Sequence, residues 1–334
     1  MAIVFLTGAS GFLGGHVLRE LVARGHTVKA LSRRPETDAP ITAAGGEPVR
    51  AALDNVASLT AALQGCDAVF HVAADTSIWK PQAAQQTATN VQGTANMLAA
   101  ARAAGVKAFV HTSSTSAYSQ LVTGVLTEEV PQRGGESWIN YEVTKFESEK
   151  RVKASGLPWI VFNPSHILGP GDRHNWARLI MMVDQEKLPG IPPGVGAFAD
   201  VREIAKAQVR AWELQRFGQC YLVGGTKATF VEFVQRIGKA LNRRTPKGAI
   251  PEWVLMLVGR SKDLLSRITG KEPDITPEGA RLTSYTLLVD SSKAERELGY
   301  VQTPLDALLA DTLAWMKGAG MGGKRPFLRM KASG

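Results

Sequence analysis

The chain has 334 residues, a net charge of +9, 44% hydrophobic side chains and 21% charged ones. This balance excludes a disordered or fibrous chain and is long enough for one large or two closely joined domains. No stretch reaches the roughly twenty apolar residues of a membrane span, and Cys66 and Cys220 have no metal-ligand spacing, as expected of reduced thiols in the cytoplasm.

Residues 2–6 form a short apolar run with β-branched members and predict a buried strand. Thr7-Gly-Ala-Ser-Gly-Phe-Leu-Gly14 then turns the chain into an amphipathic helix over residues 12–24, ended by Gly25. The glycines follow Gly-x-x-Gly-x-x-Gly, not the Gly-x-Gly-x-x-Gly of the dehydrogenase fingerprint. Gly8 suits a tight turn, Gly11 lets a pyrophosphate approach the backbone, and Gly14 lets the helix pack on the strand. The helix N-terminus offers free N–H groups and the positive end of its dipole to an anion.

Residues 27–31 predict a second strand, which runs into Ser32-Arg33-Arg34-Pro35. NAD enzymes carry an acid at this strand end to hold the ribose 2′-hydroxyl. Here two arginines follow instead, and a guanidinium pairs bidentately with a 2′-phosphate, so NADP(H) is the expected cofactor. Residues 37–46 read as a loop with a short helix, 49–53 as a weak strand, 56–63 as a helix and 67–72 as a fourth strand. That strand ends in small residues, Ala73 and Ala74, which leave room for a cofactor at the carboxyl edge of a sheet. His71 has no partners at metal-ligand spacing, and no metal is expected.

Residues 83–104 predict one long helix, 106–111 a fifth strand ending in Thr112-Ser-Ser-Thr115, 137–154 another long helix and 159–162 a sixth strand ending at Asn163-Pro164. Alternation of this kind implies a doubly wound parallel sheet of Rossmann type with a smaller interleaved substrate domain. The expected dinucleotide domain is 1–164 with a return over about 200–225. The substrate part takes 165–199 and 226–317, and 318–334 is a basic tail with Lys324, Arg325, Arg329 and Lys331. In the second half, 166–170 and 188–196 read as loops. Helices are expected over 176–183, 201–214, 229–241, 252–267, 291–298 and 303–317, with a strand at 220–223. The apolar patch at 253–258 is expected as a buried helix face or substrate lid. The other cations are dispersed and no nucleic-acid motif is present.

Tyr141 and Lys145 stand four apart on a predicted helix and share a face, while Ser114 follows a strand end that opens on the cofactor crevice. A tyrosine hydroxyl can give a proton to a carbonyl oxygen as hydride reaches the carbon. An ammonium and the cationic nicotinamide both lower its pKa from about 10. Ser114 can steady the growing charge on oxygen.

These motifs together resemble the extended short-chain dehydrogenase/reductase superfamily, the NAD-dependent epimerase/dehydratase group. Asn90-Val-Gln-Gly-Thr94, Asn163-Pro-Ser-His-Ile-Leu-Gly-Pro-Gly171 and Asp200-Val-Arg-Glu-Ile-Ala205 resemble further segments of it, and Ser32-Arg33-Arg34-Pro35 is most similar to the dihydroflavonol-reductase-like branch. The resemblance spans about residues 1–317 and implies Ser114, Tyr141 and Lys145 as the catalytic set. It implies cofactor contacts from Thr7, Gly8, Ser10, Gly11, Phe12, Leu13, Gly14, Arg33, Arg34, Leu53, Ala73, Ala74, Asn90, Thr112, Tyr141, Lys145, Pro164 and His166. Three departures stand out. Ala52-Leu53 aligns with an Asp-Leu pair whose acid contacts adenine. Asn163 replaces a common arginine. Thr115-Ser116-Ala117 lacks the acidic pair of the dehydratases, which argues against dehydration.

The expected function is NADPH-dependent reduction of a small apolar or aromatic carbonyl compound. Trp79, His166, Trp176, Ile180, Met181 and Phe198 are candidates for the substrate wall. The alternatives are a nucleotide-sugar epimerase that retains NAD and a catalytically silent NADP-binding protein. The resemblance also implies a homodimer through the helices at 83–104 and 137–154.

Overall fold

The structure is a computed structural model that describes residues 1–321, so the expected basic tail lies outside the described residues beyond Met321. Strands β1 (Ile3–Thr7), β2 (Thr27–Ser32), β3 (Glu47–Arg50), β4 (Ala68–His71) and β5 (Ala108–Thr112) alternate with helices α1 (Phe12–Ala23), α2 (Asp38–Ala43), α3 (Val56–Ala62), α4 (Ala83–Thr87) and α5 (Gly93–Ala103). Then come β6 (Val125–Leu126), α6 (Asn140–Lys153), β7 (Trp159–Pro164), β8 (His166–Leu168), α7 (Trp176–Asp184), β9 (Val195–Asp200), α8 (Val201–Glu213), β10 (Gln219–Val223) and β11 (Thr226–Thr229). The chain closes with α9 (Phe230–Leu241), α10 (Glu252–Thr269), α11 (Pro277–Leu282), β12 (Leu288–Val289), α12 (Ser292–Leu298) and α13 (Leu305–Gly318).

Two compact units emerge. The first takes Met1–Ser165, Val201–Val223 and Val289–Val301, and the second His166–Asp200, Gly224–Leu288 and the chain from Gln302. The segment Val289–Val301, read from sequence with the second unit, groups with the first.

The first unit is built on a seven-stranded sheet in the order β10-β7-β5-β4-β1-β2-β3, every neighbouring pair parallel. Parallel neighbours need crossovers, which the intervening helices supply. Strands β4 and β5 are buried along their whole length, the pattern of a sheet covered on both faces. Side chains alternate between those faces. Phe5, Val69, Phe109 and Val161 join Leu59 of α3, Met97 and Leu98 of α5 and Val152 of α6 in one core. Phe70, next along β4, instead meets Trp212 of α8 edge-on at 5.5 Å, and α8 packs against α1.

The second unit holds a three-stranded sheet, β11-β9-β8, antiparallel between β11 and β9 and parallel between β8 and β9. Its core joins Phe198 of β9, Ile180 of α7, Phe233 and Ile237 of α9 and Leu308 of α13. The Phe198 and Phe233 rings stack at 4.1 Å. Helix α9 starts in a capping box, Thr229 with Glu232, and ends at Asn242 in the left-handed region.

Three expectations change. The helix expected over 83–104 is interrupted by a π-helical turn, Ala88–Gln92, that separates α4 from α5. The helix expected from 137 starts at Asn140. Strand β8 lies in the loop expected over 166–170, β9 begins at the end of the loop expected over 188–196, and β11 ends where the helix expected from 229 begins. All three are short: β8 (His-Ile-Leu) and β11 (Thr-Lys-Ala-Thr) carry too brief a pattern to predict a strand, and the apolar run of β9 is broken by Gly196.

Candidate active site

The turn from β1 into α1 shows why its glycines are needed. Gly8 has φ +78°, and a Cβ there would sit 2.9 Å from the Ala73 nitrogen. A Cβ on Gly14 would sit 2.0 Å from the Gly8 carbonyl oxygen, far inside contact distance. Gly11 donates its N–H to that oxygen at 2.9 Å and caps α1. Ser10 and Gly11 are exposed at the tip, Phe12 is half-buried and Leu13 is buried. A backbone cradle at a helix N-terminus, open only because three side chains are missing, fits a dinucleotide pyrophosphate.

Thr7 is buried and ties the end of β1 to the end of β4. Its Oγ1 accepts the N–H groups of Val72 and Ala73, each at 3.1 Å. Ala73 and Ala74 follow β4 as half-buried residues beside this turn. The Thr7 hydroxyl also lies 2.9 Å from His71 Nδ1, and His71 Nε2 lies 3.1 Å from Thr94 Oγ1. Thr94 spends its single proton on the Asn90 carbonyl at 2.6 Å. His71 Nε2 must therefore be the donor to Thr94, and Nδ1 the acceptor from Thr7, which defines a neutral tautomer. Burial and the Lys145 ammonium hold its pKa down at about 3.

The chain of bonds continues into α6. Asn90, on the π-helical turn, donates to the Asp75 carbonyl at 2.8 Å and to Thr144 Oγ1 at 3.1 Å, and its Oδ1 accepts the Asp75 N–H at 2.7 Å. Thr144 in turn donates to the Tyr141 carbonyl at 3.0 Å. π-helical turns recur at functional sites, and here the turn aims one amide into two neighbours at once. All of these bonds on Asn90 are internal, so it braces the Asp75 loop against α6.

Ser114, Tyr141 and Lys145 come together from the end of β5 and the first turns of α6. Ser114 caps a short 3-10 turn with its hydroxyl accepting the Ser116 N–H at 3.1 Å, and it hydrogen-bonds the Tyr141 phenol. Burial pushes the Tyr141 hydroxyl up to about 12, against the opposing Ser114 bond. Lys145 is 4% exposed. Its Nζ donates to the Thr112 carbonyl at 3.2 Å and stands 5.9 Å from the centre of the Tyr141 ring. Burial lowers its pKa to about 8, with Glu149 opposing. The Thr112 hydroxyl accepts from Gln208 of α8 at 3.0 Å. Burial dominates at Tyr141 and raises its pKa, the opposite of the lowering expected from neighbouring charge alone.

Asn163 is fully buried. Its amide donates to the Ser114 carbonyl at 3.1 Å and to the buried Glu149 at 2.7 Å. Pro164 ends β7 in the core. Leu53 lies after β3, its carbonyl held by Asn96 at 2.8 Å. His166 belongs to the second unit, against Trp176 at 5.1 Å, Phe198 at 5.6 Å and Phe230 at 5.8 Å. Ile180 and Phe198, expected on a substrate wall, are 0% exposed and form the second core instead. Trp176 and Met181 pack against that core, partly buried, and Trp79 is half-buried in the first unit.

Arg33 and Arg34 are exposed just past β2. A brace that sequence reading missed holds this loop. Ser32 donates to Asp38 at 2.6 Å, and Arg50 at the end of β3 donates to Ser32 Oγ at 2.6 Å and forms a two-toothed ion pair with Asp38. The hydrogen bonds from Arg50, then from Ser32, hold the Asp38 carboxyl below the usual range. No local motif marks these partners, because β2–β3 pairing brings them together across the loop.

A glycine cradle at a strand–helix turn, with a Tyr/Lys helix and a serine at the end of the next strand but one, defines a Rossmann-type enzyme class that works on a nicotinamide dinucleotide. The profile of the NAD dependent epimerase/dehydratase family matches residues 4–224. Sterol demethylase protein B of Methylococcus capsulatus is 31% identical over 95% of this chain and 98% of its own. A relative from Synechocystis sp. that carries the name dihydroflavonol 4-reductase is 28% identical, over 95% of each chain. The crystal structure of gox2253 superposes with a TM-score of 0.81 at 27% identity, over 97% of this chain and 100% of that one. The chain belongs to the NAD dependent epimerase/dehydratase family of extended short-chain dehydrogenases/reductases, whose members bind a nicotinamide cofactor and act as oxidoreductases or epimerases on CH–OH groups.

Proposed function

We propose that this protein is an NADPH-dependent carbonyl reductase. The observation that carries the reading is the Ser114–Tyr141–Lys145 cluster, with a half-buried phenol whose pKa desolvation raises to about 12, so that it keeps its proton at neutral pH. When bound, the reduced nicotinamide supplies a hydride. Tyr141 gives its proton to the substrate oxygen as negative charge develops there. The Ser114 hydroxyl donates to the same oxygen, its lone pair already engaged by the Ser116 N–H. Lys145, charged below about pH 8, stabilises the phenolate left on Tyr141. The exposed Arg33–Arg34 pair supports the 2′-phosphorylated cofactor.

One observation favours retained NAD and epimerase chemistry: the Asp38 carboxylate reaches Ser32 at the end of β2, where NAD enzymes keep an acid. Arg50 neutralises that carboxylate, which is why we rank reduction first. A homodimer through α5 and α6 is part of the proposal, and light scattering at micromolar concentration tests it.

The deciding experiment uses Tyr141→Phe. NADPH oxidation over a panel of aromatic aldehydes, ketones and β-keto acids should fall by roughly 10³-fold, while NADPH affinity by calorimetry stays within about threefold. Equal turnover in the variant refutes the proton-donor role. Tightly held NAD in the purified protein favours the epimerase.

A further inference from the structure

Four described residues other than glycine have a positive φ: Ser119 at 71°, Glu186 at 55°, Gln215 at 54° and Asn242 at 53°. The last three are exposed and stand within two residues of the ends of α7, α8 and α9, where a left-handed residue is an ordinary helix stop. Ser119 is buried, and it closes the turn that begins at Ser114. Within that turn Ala117 donates its N–H to the Ser114 carbonyl at 3.0 Å, Tyr118 to Thr115 at 3.0 Å and Ser119 to Ser116 at 3.1 Å. A residue with a Cβ resists this conformation, and such strain persists only where the surroundings hold it.

Glu142 does the holding. It follows Tyr141 in the first turn of α6 and is 0% exposed. One carboxylate oxygen accepts the Ser119 hydroxyl at 2.5 Å, and the other accepts the Gln120 N–H at 2.9 Å. Bonds to a carboxylate are among the strongest available to a hydroxyl or an amide, and these two grip either side of the strained position. The Ser119 hydroxyl oxygen in turn accepts the Leu121 N–H at 3.3 Å, and the Ser119 carbonyl accepts the Val122 N–H at 3.2 Å. Packing closes the same joint: a Cβ on Gly134 would lie 2.7 Å from the Ala117 carbonyl oxygen and 2.8 Å from that of Glu142. The near end of the turn is fixed separately, by the Asn163 amide on the Ser114 carbonyl. Ser114 therefore sits on a turn clamped at both ends, and the far clamp grows from the residue next to Tyr141.

We propose that Glu142 is a positioning residue: by holding Ser119 in the left-handed region it fixes the Ser114 hydroxyl against the Tyr141 phenol. Its kinetic consequence rests on the carbonyl-reductase reading; the clamp itself does not.

The test compares variants by NADPH oxidation and by amide hydrogen exchange of the full-length protein. Glu142→Ala should lower kcat roughly 10- to 100-fold, with NADPH affinity within about threefold. Glu142→Gln can still accept from Gln120 and donate to the Ser119 oxygen, so it should stay within about fivefold of the wild type. The decisive arm adds Ser119→Gly to Glu142→Ala. Glycine takes a positive φ without a clamp, so the double variant should regain at least about tenfold in kcat. Lost packing at position 142 would gain nothing from a smaller residue at 119. Exchange reads the turn without turnover: the Ala117, Tyr118 and Ser119 amides should exchange at least about tenfold faster in Glu142→Ala and slow again in the double variant. The proposal fails if Glu142→Ala matches the wild type in both readouts, or if Ser119→Gly restores exchange but not kcat. Should Glu142→Ala fail to fold, Ser119→Ala and Ser119→Gly give the same contrast, since both lose the hydroxyl and only glycine favours the turn. Then kcat of Ser119→Ala should be at least about fivefold the lower, and equal values overturn the proposal. If exchange responds as stated while the wild type reduces no carbonyl of the panel, the clamp stands and the reductase reading falls.

Discussion

Replacing His71 by leucine tests the hydrogen-bond chain between the glycine turn and α6. Leucine fills much of the ring's space but can neither accept from Thr7 nor donate to Thr94. The Thr7 hydroxyl then has a buried proton with no acceptor, and Thr94 loses the donor at its oxygen. Each such loss costs about 1–3 kcal/mol, so the variant should be less stable at pH 7 by roughly 2–6 kcal/mol. The pH dependence isolates the histidine itself. Its pKa is about 3 in the fold against 6.5 unperturbed. Between those values the unfolded state holds the extra proton, so stability falls as pH drops from about 6.5 towards 3, by roughly 1.4 kcal/mol per pH unit for this group. Burial also lowers His111 well below its ordinary value and His166 to about 4, so three protons should contribute to the acid limb. Urea unfolding at pH 7, 6 and 5 should show a steep acid loss in the wild type and about one proton less slope in His71→Leu. An unchanged slope refutes the neutral, buried role assigned to His71.

Gly14→Ala should drive α1 off the β1 turn, because the new Cβ would lie 2.0 Å from the Gly8 oxygen. A shift of about 1 Å at the cradle is expected to weaken NADPH binding roughly a hundredfold by calorimetry, and wild-type affinity would contradict the cradle. Arg50→Met removes the guanidinium that holds Ser32 and Asp38 together. Affinity for NADP should fall about tenfold while that for NAD changes little. An equal loss for both dinucleotides would point to general loosening of the loop instead.

Sequence by itself determined the Rossmann-type sheet, because alternating apolar runs and amphipathic helices are local patterns that each segment carries alone. The glycine turn and the Tyr141–Lys145 spacing were legible for the same reason: both lie within eight consecutive residues. Tertiary structure alone decided the rest. The tautomer of His71 depends on Thr7 and Thr94, which β1–β4 pairing and the packing of α5 bring to the two sides of one ring. The Ser32–Asp38–Arg50 brace and the Asn163–Glu149 bond join residues from separate elements and leave no spacing signal. Ile180 and Phe198 look the same in sequence whether they line a pocket or fill a core, and only packing shows the latter. For α10 the apolar content was visible from the start, but hydrophobicity has no direction until a neighbour buries one face, and here α11 took the side with Gly259 and left Trp253 and Leu257 exposed.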